Sequence, residues 1–207
     1  MPDENFFEIA YNLENTDETR AMYDRWASVY DRDLKEGEYQ QPARCAEALR
    51  KHSPNHNLKV LDVGCGTGLS GLALKHYGFE NIDGCDLSQG MLDQANALEI
   101  YGRLFTCDLN HPPLDVSNNL YDAITAVGVF SFGHIMPEAI DELLRILRPG
   151  GIIIIGLNDH YYEEGSLTQK LENLELKGSL KIINREHGDH IPKNNLKGWV
   201  ITLEKSL

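Results

Sequence analysis

The sequence predicts an α/β fold built on a doubly wound, mostly parallel sheet of seven strands. Short apolar runs alternate with amphipathic segments through the middle of the chain, and one run, 152–157, contains only apolar residues and glycine. Runs of this kind are typical of strands covered on both faces, and their alternation with helices indicates right-handed parallel crossovers. The last two predicted strands, 180–185 and 199–204, are separated by too few residues for a crossover helix. We therefore expect them to form an antiparallel hairpin.

The length and composition fit one domain. With 207 residues, of which 42% are hydrophobic, the chain can bury one full core. We expect a single domain over 1–207, with an N-terminal helical cap at 1–53 and the doubly wound core at 54–207. The four cysteines occur singly, without a C-x-x-C pair. This pattern favours reduced thiols and a cytoplasmic location.

Two classes of partner are disfavoured by the composition. A formal net charge of -13 would repel a phosphate backbone, so we expect no nucleic-acid partner. No segment approaches the roughly 18 to 20 apolar residues of a membrane span, and no signal-like apolar region follows the N-terminus, so we expect no membrane association. The oligomeric state does not follow from the sequence.

The N-terminal region contains two predicted helices, 19–34 and 41–52. In the first, Tyr23, Trp26 and Tyr30 are spaced to share one face. One interpretation is an aromatic stripe that docks the helix on the domain. The other is a lid in which Trp26 or Tyr30 closes on a ligand.

The most informative stretch is 59–68, which reads KVLDVGCGTG. The apolar residues 60–63 predict a buried strand, and glycines follow at every second position, Gly64, Gly66 and Gly68. A helical pattern then begins at 69 and runs to 77. Glycines permit unusual backbone angles and close approach of a ligand, while the start of the helix offers free N–H groups. The loop is therefore a predicted ligand cradle.

The remaining elements follow this cradle in order. A second strand at 82–85 ends at Asp86, about 20 residues beyond the glycines, where an acid can accept both ribose hydroxyls of a nucleoside. Ser88 is a good N-cap for a helix reaching 99. The other predicted elements are strands at 103–107, 121–127 and 152–157 and helices at 137–147 and 166–176.

Two cofactor classes fit the glycine loop. Residues 66–71 also satisfy the dinucleotide pattern G-x-G-x-x-G, which by itself is a weak signal. The glycine run starts directly at the strand end, with Asp62 two residues before it. A second acid, Asp108, ends the third strand, and the terminal hairpin replaces a sixth parallel strand. These features disfavour a nicotinamide cofactor.

Taken together, these residues resemble the class I (seven-stranded) S-adenosylmethionine-dependent methyltransferases, which have a Rossmann-like fold. The resemblance is strongest over 59–157, where VLDVGCGTG looks like the first motif and LLRILRPGG, at 143–151, is a frequent lead into the fifth strand. The aromatic and acidic repeat of the first helix and the FSFGH run look closest to the Williams-Beuren syndrome region methyltransferase-like proteins. No Asn-Pro-Pro-Tyr motif follows the fourth strand, which puts a planar nitrogen acceptor in doubt.

The resemblance implies the positions that bind S-adenosylmethionine and its product S-adenosylhomocysteine. Asp62 and the glycine loop would hold the methionine end, Asp86 the ribose, and Asp108 the adenine edge. With Trp26 and Tyr30 of the possible lid, the complete expected cofactor set is Trp26, Tyr30, Asp62, Gly64, Cys65, Gly66, Asp86, Leu87, Met91, Asp108, Leu109, Ala126, Val127 and Gly128.

We expect the methyl acceptor to be a small molecule, because little chain is left to build a substrate domain. The expected pocket comprises Phe130, Phe132, His134, Tyr161 and Tyr162. Tyr30 would position the acceptor, and His134 is either a structural residue or a general base. The two histidines of 187–190 fit a solvated turn better than a metal site, so no metal is expected. The alternatives are a non-catalytic S-adenosylmethionine-binding protein and an NAD-dependent oxidoreductase.

Overall fold

A computed structural model describes residues 16–26, 34, 37–53, 55, 57–131 and 135–207 of the chain. The helices in this part of the chain are α1 (Thr16–Trp26), α2 (Gln41–His52), α3 (Leu69–His76), α4 (Gln89–Asn96), α5 (Ala139–Ile146), α6 (Asp159–Glu164) and α7 (Ser166–Leu176). The strands are β1 (Val60–Val63), β2 (Ile82–Asp86), β3 (Leu104–Thr106), β4 (Tyr121–Val127), β5 (Leu147–Asn158), β6 (Leu180–Ile191) and β7 (Leu196–Lys205).

The seven strands form one sheet in the order β3-β2-β1-β4-β5-β7-β6. Strands β1 to β5 are parallel to one another, whereas β7 is antiparallel to both β5 and β6. The predicted mostly parallel sheet with a C-terminal hairpin is therefore confirmed. The order reverses between β1 and β4, and ligands of such sheets bind outside the carboxyl ends of the strands at this point.

Strand β5 shows why an uninterrupted apolar run is needed in the middle of the sheet. Ile153 and Ile155 join a core cluster with α5 and α7 on one face. Ile152 and Ile154 join a second cluster with α2 on the other face. Because alternate residues of a strand point to opposite faces, every position in this run must be apolar to fill both layers.

Helix α2 has the predicted bounds. The side chain of its first residue, Gln41, joins it to the sheet by hydrogen bonds. The Nε2 group of Gln41 donates to the backbone oxygens of Leu157, at 3.3 Å, and Trp199, at 2.7 Å. The helix lies so close to the sheet that a Cβ on Gly156 would sit 2.8 Å from the Sγ of Cys45. Helix α2 is thus packed directly on the core.

The C-terminal hairpin is longer than predicted. Residues 186–197 were expected to form a loop, but most of them continue β6 and β7, and the chain reverses through a short 3-10 turn at Pro192–Asn194. Strand β6 lies at the edge of the sheet, where solvent exposure tolerates the polar residues that suggested a loop. The expectation that the histidines of 187–190 form a solvated turn was wrong, since both lie in β6 and His190 is buried.

Helix α6 was not predicted. The sequence feature that marks its start is the capping residue Asn158, whose side chain accepts a 2.8 Å hydrogen bond from the backbone N–H of Tyr161. Its six residues are too few for helical periodicity to be recognised. No helix within the described residues is long and apolar enough to cross a membrane.

Candidate cofactor site

A cleft opens at the carboxyl ends of β1, β2, β3 and β4, where the strand order reverses. Its volume, including the mouth that is open to solvent, is about 710 Å³. Helix α1 contributes one wall. The lining residues are Thr19, Tyr23, Gly64, Gly66, Asp86, Leu87, Met91, Cys107, Asp108, Leu109, Asn110, Val127, Gly128, Val129 and Ile135.

The glycine loop has the geometry of a cradle. Gly64 and Gly66 have φ values of 60° and 55°, in the left-handed region that favours glycine. A Cβ on Gly64 would lie 2.5 Å from the Cγ2 of Val129, so this position permits only glycine. A Cβ on Gly66 would meet no atom within 4 Å. The backbone at Gly66 therefore faces open space in the cleft.

Asp86 ends β2 and is fixed beside this loop. Its Oδ2 accepts a 2.9 Å hydrogen bond from the N–H of Gly66, and its Oδ1 accepts one of 2.9 Å from the N–H of Ser88. Burial raises the pKa of the Asp86 carboxyl, and these backbone bonds oppose the shift. Each carboxylate oxygen has a second lone pair, so Asp86 keeps the capacity to accept two ligand hydroxyls.

Asp108 follows β3 and is oriented by its own loop. Its Oδ1 accepts a hydrogen bond of 3.0 Å from the N–H of Asn110, and its Oδ2 lies 2.8 Å from the Nδ1 of His111. The side-chain oxygen of Asn110 in turn accepts from the N–H of Met136. The loops that follow β3 and β4 are therefore tied together on one side of the cleft.

Asp62 lies behind the glycine loop and does not line the cleft. Its Oδ2 accepts hydrogen bonds from Ser70, at 2.6 Å, and Tyr101, at 2.8 Å, while its Oδ1 accepts one of 2.9 Å from Thr125. The side chain is completely buried, and burial raises its pKa to about 6 in spite of these three bonds. In this position Asp62 ties β1 to α3, β4 and the segment before β3.

The side chain of Tyr101 packs against two further glycines, Gly71 and Gly84, and leaves no room for a side chain at either position. A Cβ on Gly71 would lie 2.3 Å from the hydroxyl oxygen of Tyr101, and one on Gly84 would lie 2.9 Å from its Cε1. Burial and the neighbouring Asp62 raise the pKa of Tyr101 well above its ordinary value, so its hydroxyl acts as a donor. Gly71, which fits the last glycine of the dinucleotide pattern, is needed here for packing.

Most of the expected cofactor residues come together in the cleft. Those that line it are Gly64, Gly66, Asp86, Leu87, Met91, Asp108, Leu109, Val127 and Gly128. Cys65 and Ala126 are buried, at 3% and 0% exposure, and neither lines the cleft. Trp26 is the last residue of α1, and Tyr30 lies outside the described residues.

None of the three expected acceptor residues that the structure describes lines the cleft. Phe130 and Tyr161, at 1% and 5% exposure, lie in the core. Tyr162 stacks on Trp199 with a centroid distance of 4.2 Å and an interplanar angle of 13°. Phe132 and His134 lie outside the described residues. Within the described part of the chain, Val129 and Ile135 contribute apolar surface after β4 instead.

Several cleft residues were missed by the sequence analysis. Thr19, Cys107, Asn110, Val129 and Ile135 carry no motif signal of their own, although Asn110 follows the predicted Asp108 closely.

Tyr39, which the sequence analysis did not single out, lies beside Gly128 at the end of β4. A Cβ on Gly128 would lie 3.0 Å from the Tyr39 hydroxyl oxygen. The ring packs edge-on against His190, with centroids 5.1 Å apart. Burial lowers the pKa of His190 to about 4, so this ring is neutral at physiological pH. Nothing in the local sequence indicates a contact that joins two such distant segments.

The fold and the cleft define a Rossmann-like protein in which a glycine loop and two strand-end carboxylates line a cleft at the switch point of the sheet. Residues 61–155 match the family described as "Methyltransferase domain". The chain belongs to the class I S-adenosylmethionine-dependent methyltransferases.

Two curated relatives show the same relationship. Human methyltransferase-like protein 27 is 37% identical over 163 residues, which cover 76% of this chain and 66% of that protein. A malonyl-[acyl-carrier protein] O-methyltransferase from Pectobacterium atrosepticum is 33% identical over 132 residues, which cover 63% of this chain and 49% of that enzyme. The chain thus spans two thirds or less of the length of these relatives.

Solved structures of low sequence identity share the fold. The [4+2]-cyclase SpnF aligns with a TM-score of 0.71 and 16% identity, covering 94% of this chain and 97% of that one. A Thermotoga maritima methyltransferase, described as a possible histamine N-methyltransferase, aligns with a TM-score of 0.64 and 18% identity, covering 91% and 99%. At this level of identity they support the architecture only.

Proposed function

We propose that this protein transfers a methyl group from S-adenosylmethionine to a small acceptor that is neutral or weakly cationic. The observation that carries the proposal is the joint placement of Gly66 and Asp86 in the cleft at the switch point of the sheet. A backbone that a ligand can approach and a carboxylate with free lone pairs suit the ribose and amino-acid parts of this cofactor.

The residues present fit the cofactor along the whole cleft. Asp86 would accept the ribose hydroxyls, and Asp108 would accept the exocyclic amine of the adenine. Leu87, Met91 and Leu109 supply apolar surface for the ring. Because Asp62 is buried behind the loop, we propose that it holds the loop in shape rather than touching the methionine end.

S-adenosylmethionine supplies a methyl group that is already activated by a positively charged sulfur. The protein then has to align the acceptor and exclude water. Val127, Val129 and Ile135 provide apolar surface at and after the end of β4, and Thr19 and Tyr23 of α1 provide another wall. Tyr30 as a positioning residue and His134 as a base remain predictions.

The charge of the cleft supports the proposed class of acceptor. Asp86 and Asp108 line it, whereas none of the described lining residues is Lys, Arg or His. A carboxylate-lined cleft in a chain of net charge -13 repels anions and raises the local concentration of cations. An acceptor that carries a phosphate or sulfate would meet no described counter-charge there.

Cofactor choice is tested first by calorimetric titration of the purified protein with S-adenosylmethionine and with NAD in parallel. We expect S-adenosylmethionine to bind and NAD to give no heat of binding. Two features favour this outcome: Asp108 follows the third strand, and an antiparallel hairpin stands where a sixth parallel strand would lie. Binding of NAD alone would refute the proposed cofactor.

The class of acceptor is tested by incubating the protein with a cell extract and S-adenosylmethionine labelled in its methyl group. We expect the label to appear in the small-molecule fraction. A variant with Asp86→Ala provides the background control, because it is expected to bind S-adenosylmethionine much more weakly than the wild type does. Label that appears only in RNA or only in protein would overturn the proposed acceptor.

A further inference from the structure

Helix α1 is attached to the first turn of α4 through one carboxylate, that of Asp24. Its Oδ1 accepts a 3.0 Å hydrogen bond from the N–H of Gly90 and a short one from the hydroxyl of Ser88. The Ser88 hydroxyl oxygen in turn accepts from the N–H of Met91, at 3.0 Å. Asp24 therefore extends the N-cap of α4 from a different helix.

The two helices touch through their backbones at the same place. A Cβ on Gly90 would lie 3.3 Å from both the Cα and the carbonyl oxygen of Asp24, and 3.2 Å from its Oδ1. These distances are tighter than ordinary van der Waals contact. Glycine at position 90 thus allows α1 to approach closely enough for its carboxylate to reach the helix start.

Asp24 lies next to the residues that α1 contributes to the cleft. Tyr23 precedes it, and Thr19 lies one helical turn before Tyr23, so both reach the cleft from the docked helix. On the other side, Asp86 accepts from the N–H of Ser88, in the same turn that Asp24 caps. The first turn of α4 therefore contacts both Asp86, which lines the cleft, and Asp24 of α1, which forms one wall of the cleft.

Few of the side chains that the structure describes in α1 are buried. Among residues 17–25, whose side chains the structure describes, only Thr19 and Met22 are buried, at 5% and 1% exposure. A helix held by so few buried side chains depends strongly on its polar contacts. Hydrogen bonds to a charged acceptor are the stronger kind, so the contact of Asp24 has a large share in docking α1.

We propose that Asp24 is a positioning residue that holds Thr19 and Tyr23 over the cofactor cleft and thereby sets the rates at which the cofactor enters and leaves. This inference rests on the proposed function, since it takes S-adenosylmethionine as the ligand. When the hydrogen bonds of Asp24 to Ser88 and Gly90 break, α1 is released to move away from the cleft, and the cofactor then enters and leaves faster.

Stopped-flow kinetics of S-adenosylmethionine binding test the proposal. Loss of a hydrogen bond to a charged group costs about 1.4 kcal/mol or more, so we expect Asp24→Ala to raise the dissociation rate constant roughly tenfold. Asp24→Asn keeps an oxygen acceptor and should raise it only about threefold. The matched control is Asp17→Ala on the same helix, which removes the same charge from an exposed pair with Arg20. We expect this control to change the rate by less than about twofold.

Gly90→Ala provides a second test that leaves every charge in place. The added Cβ pushes against the backbone of Asp24, so the dissociation rate should rise as in Asp24→Ala. Alanine favours a helix over glycine, so the melting temperature should not fall. If the dissociation rate constants of Asp24→Ala and Gly90→Ala both lie within twofold of that of Asp17→Ala, Asp24 does not control the exchange of the cofactor.

Amide hydrogen exchange of the ligand-free protein separates this inference from the proposed function. Asp24→Ala should speed exchange through 16–26 while leaving the central strands protected. Unchanged exchange in that segment would overturn the attachment itself. If the wild-type protein does not bind S-adenosylmethionine, the proposed function and the role of Asp24 in cofactor exchange both fail, while faster exchange in the variant would still show that Asp24 docks α1.

Discussion

Replacement of Asp86 by alanine is expected to weaken binding of S-adenosylmethionine by roughly 1.5 to 3 kcal/mol, about a 10- to 150-fold rise in Kd. The ribose hydroxyls lose a charged acceptor. The structure adds a second cause, because Asp86 also accepts from the N–H groups of Gly66 and Ser88. Without it, the loop that faces the cofactor loses its fixed geometry, so we expect the upper end of this range. Calorimetric titration measures the change directly.

Two further variants test whether the affinity for S-adenosylmethionine depends specifically on the Asp86 carboxylate. Asp86→Asn keeps the shape of the side chain but offers one acceptor oxygen in place of two, so its Kd should lie between those of wild type and Asp86→Ala. Asp93→Ala removes an acid from an exposed face of α4, where Asp93 accepts a hydrogen bond from Gln89, and should leave the Kd unchanged. Wild-type affinity in Asp86→Ala would refute the assignment of Asp86 to the cofactor.

The central part of the fold could be predicted because burial on both faces leaves few alternatives. A strand such as 152–157 must be apolar at every position, and the predicted bounds of β1 and β4 agree with those in the structure. The C-terminal hairpin was harder, because β6 lies at the edge of the sheet, where exposed positions accept polar residues. Its sequence therefore lacks the contrast that separates a strand from a loop.

The placement of Gly64, Gly66 and Asp86 at one cleft was also predictable, because the turn after β1 needs glycine and the end of the neighbouring parallel strand brings the acid beside it. The acceptor side was not. Apolar side chains such as Phe130 and Tyr161 suit a core as well as a pocket, and only packing decides between the two. The role of Asp24 depends on a contact between α1 and α4 that no local pattern encodes.

Asp62 gives the other large expected effect, which concerns stability and its dependence on pH. The pKa of Asp62 is raised from an ordinary value of 3.8 to about 6, chiefly by complete burial. At a pH below 3.8 the side chain is protonated in both the folded and the unfolded protein, so its ionisation does not lower the free energy of unfolding. Between 3.8 and 6 the folded protein holds a proton that the unfolded protein has lost, so this residue's contribution to stability falls as the pH rises. Above that window the loss is constant, at about 3 kcal/mol.

The variant Asp62→Asn is expected to remove this pH dependence. Its free energy of unfolding, measured in urea relative to wild type, should rise by about 2 kcal/mol between pH 4.5 and pH 7.5, because only the wild type acquires a buried charge over that range. Other carboxylates titrate alike in both proteins and cancel in the difference. Asp93→Asn, an exposed replacement of the same kind, should show a flat difference. A flat difference for Asp62→Asn as well would mean that the hydrogen bonds from Ser70, Tyr101 and Thr125 fully offset the burial of this carboxylate.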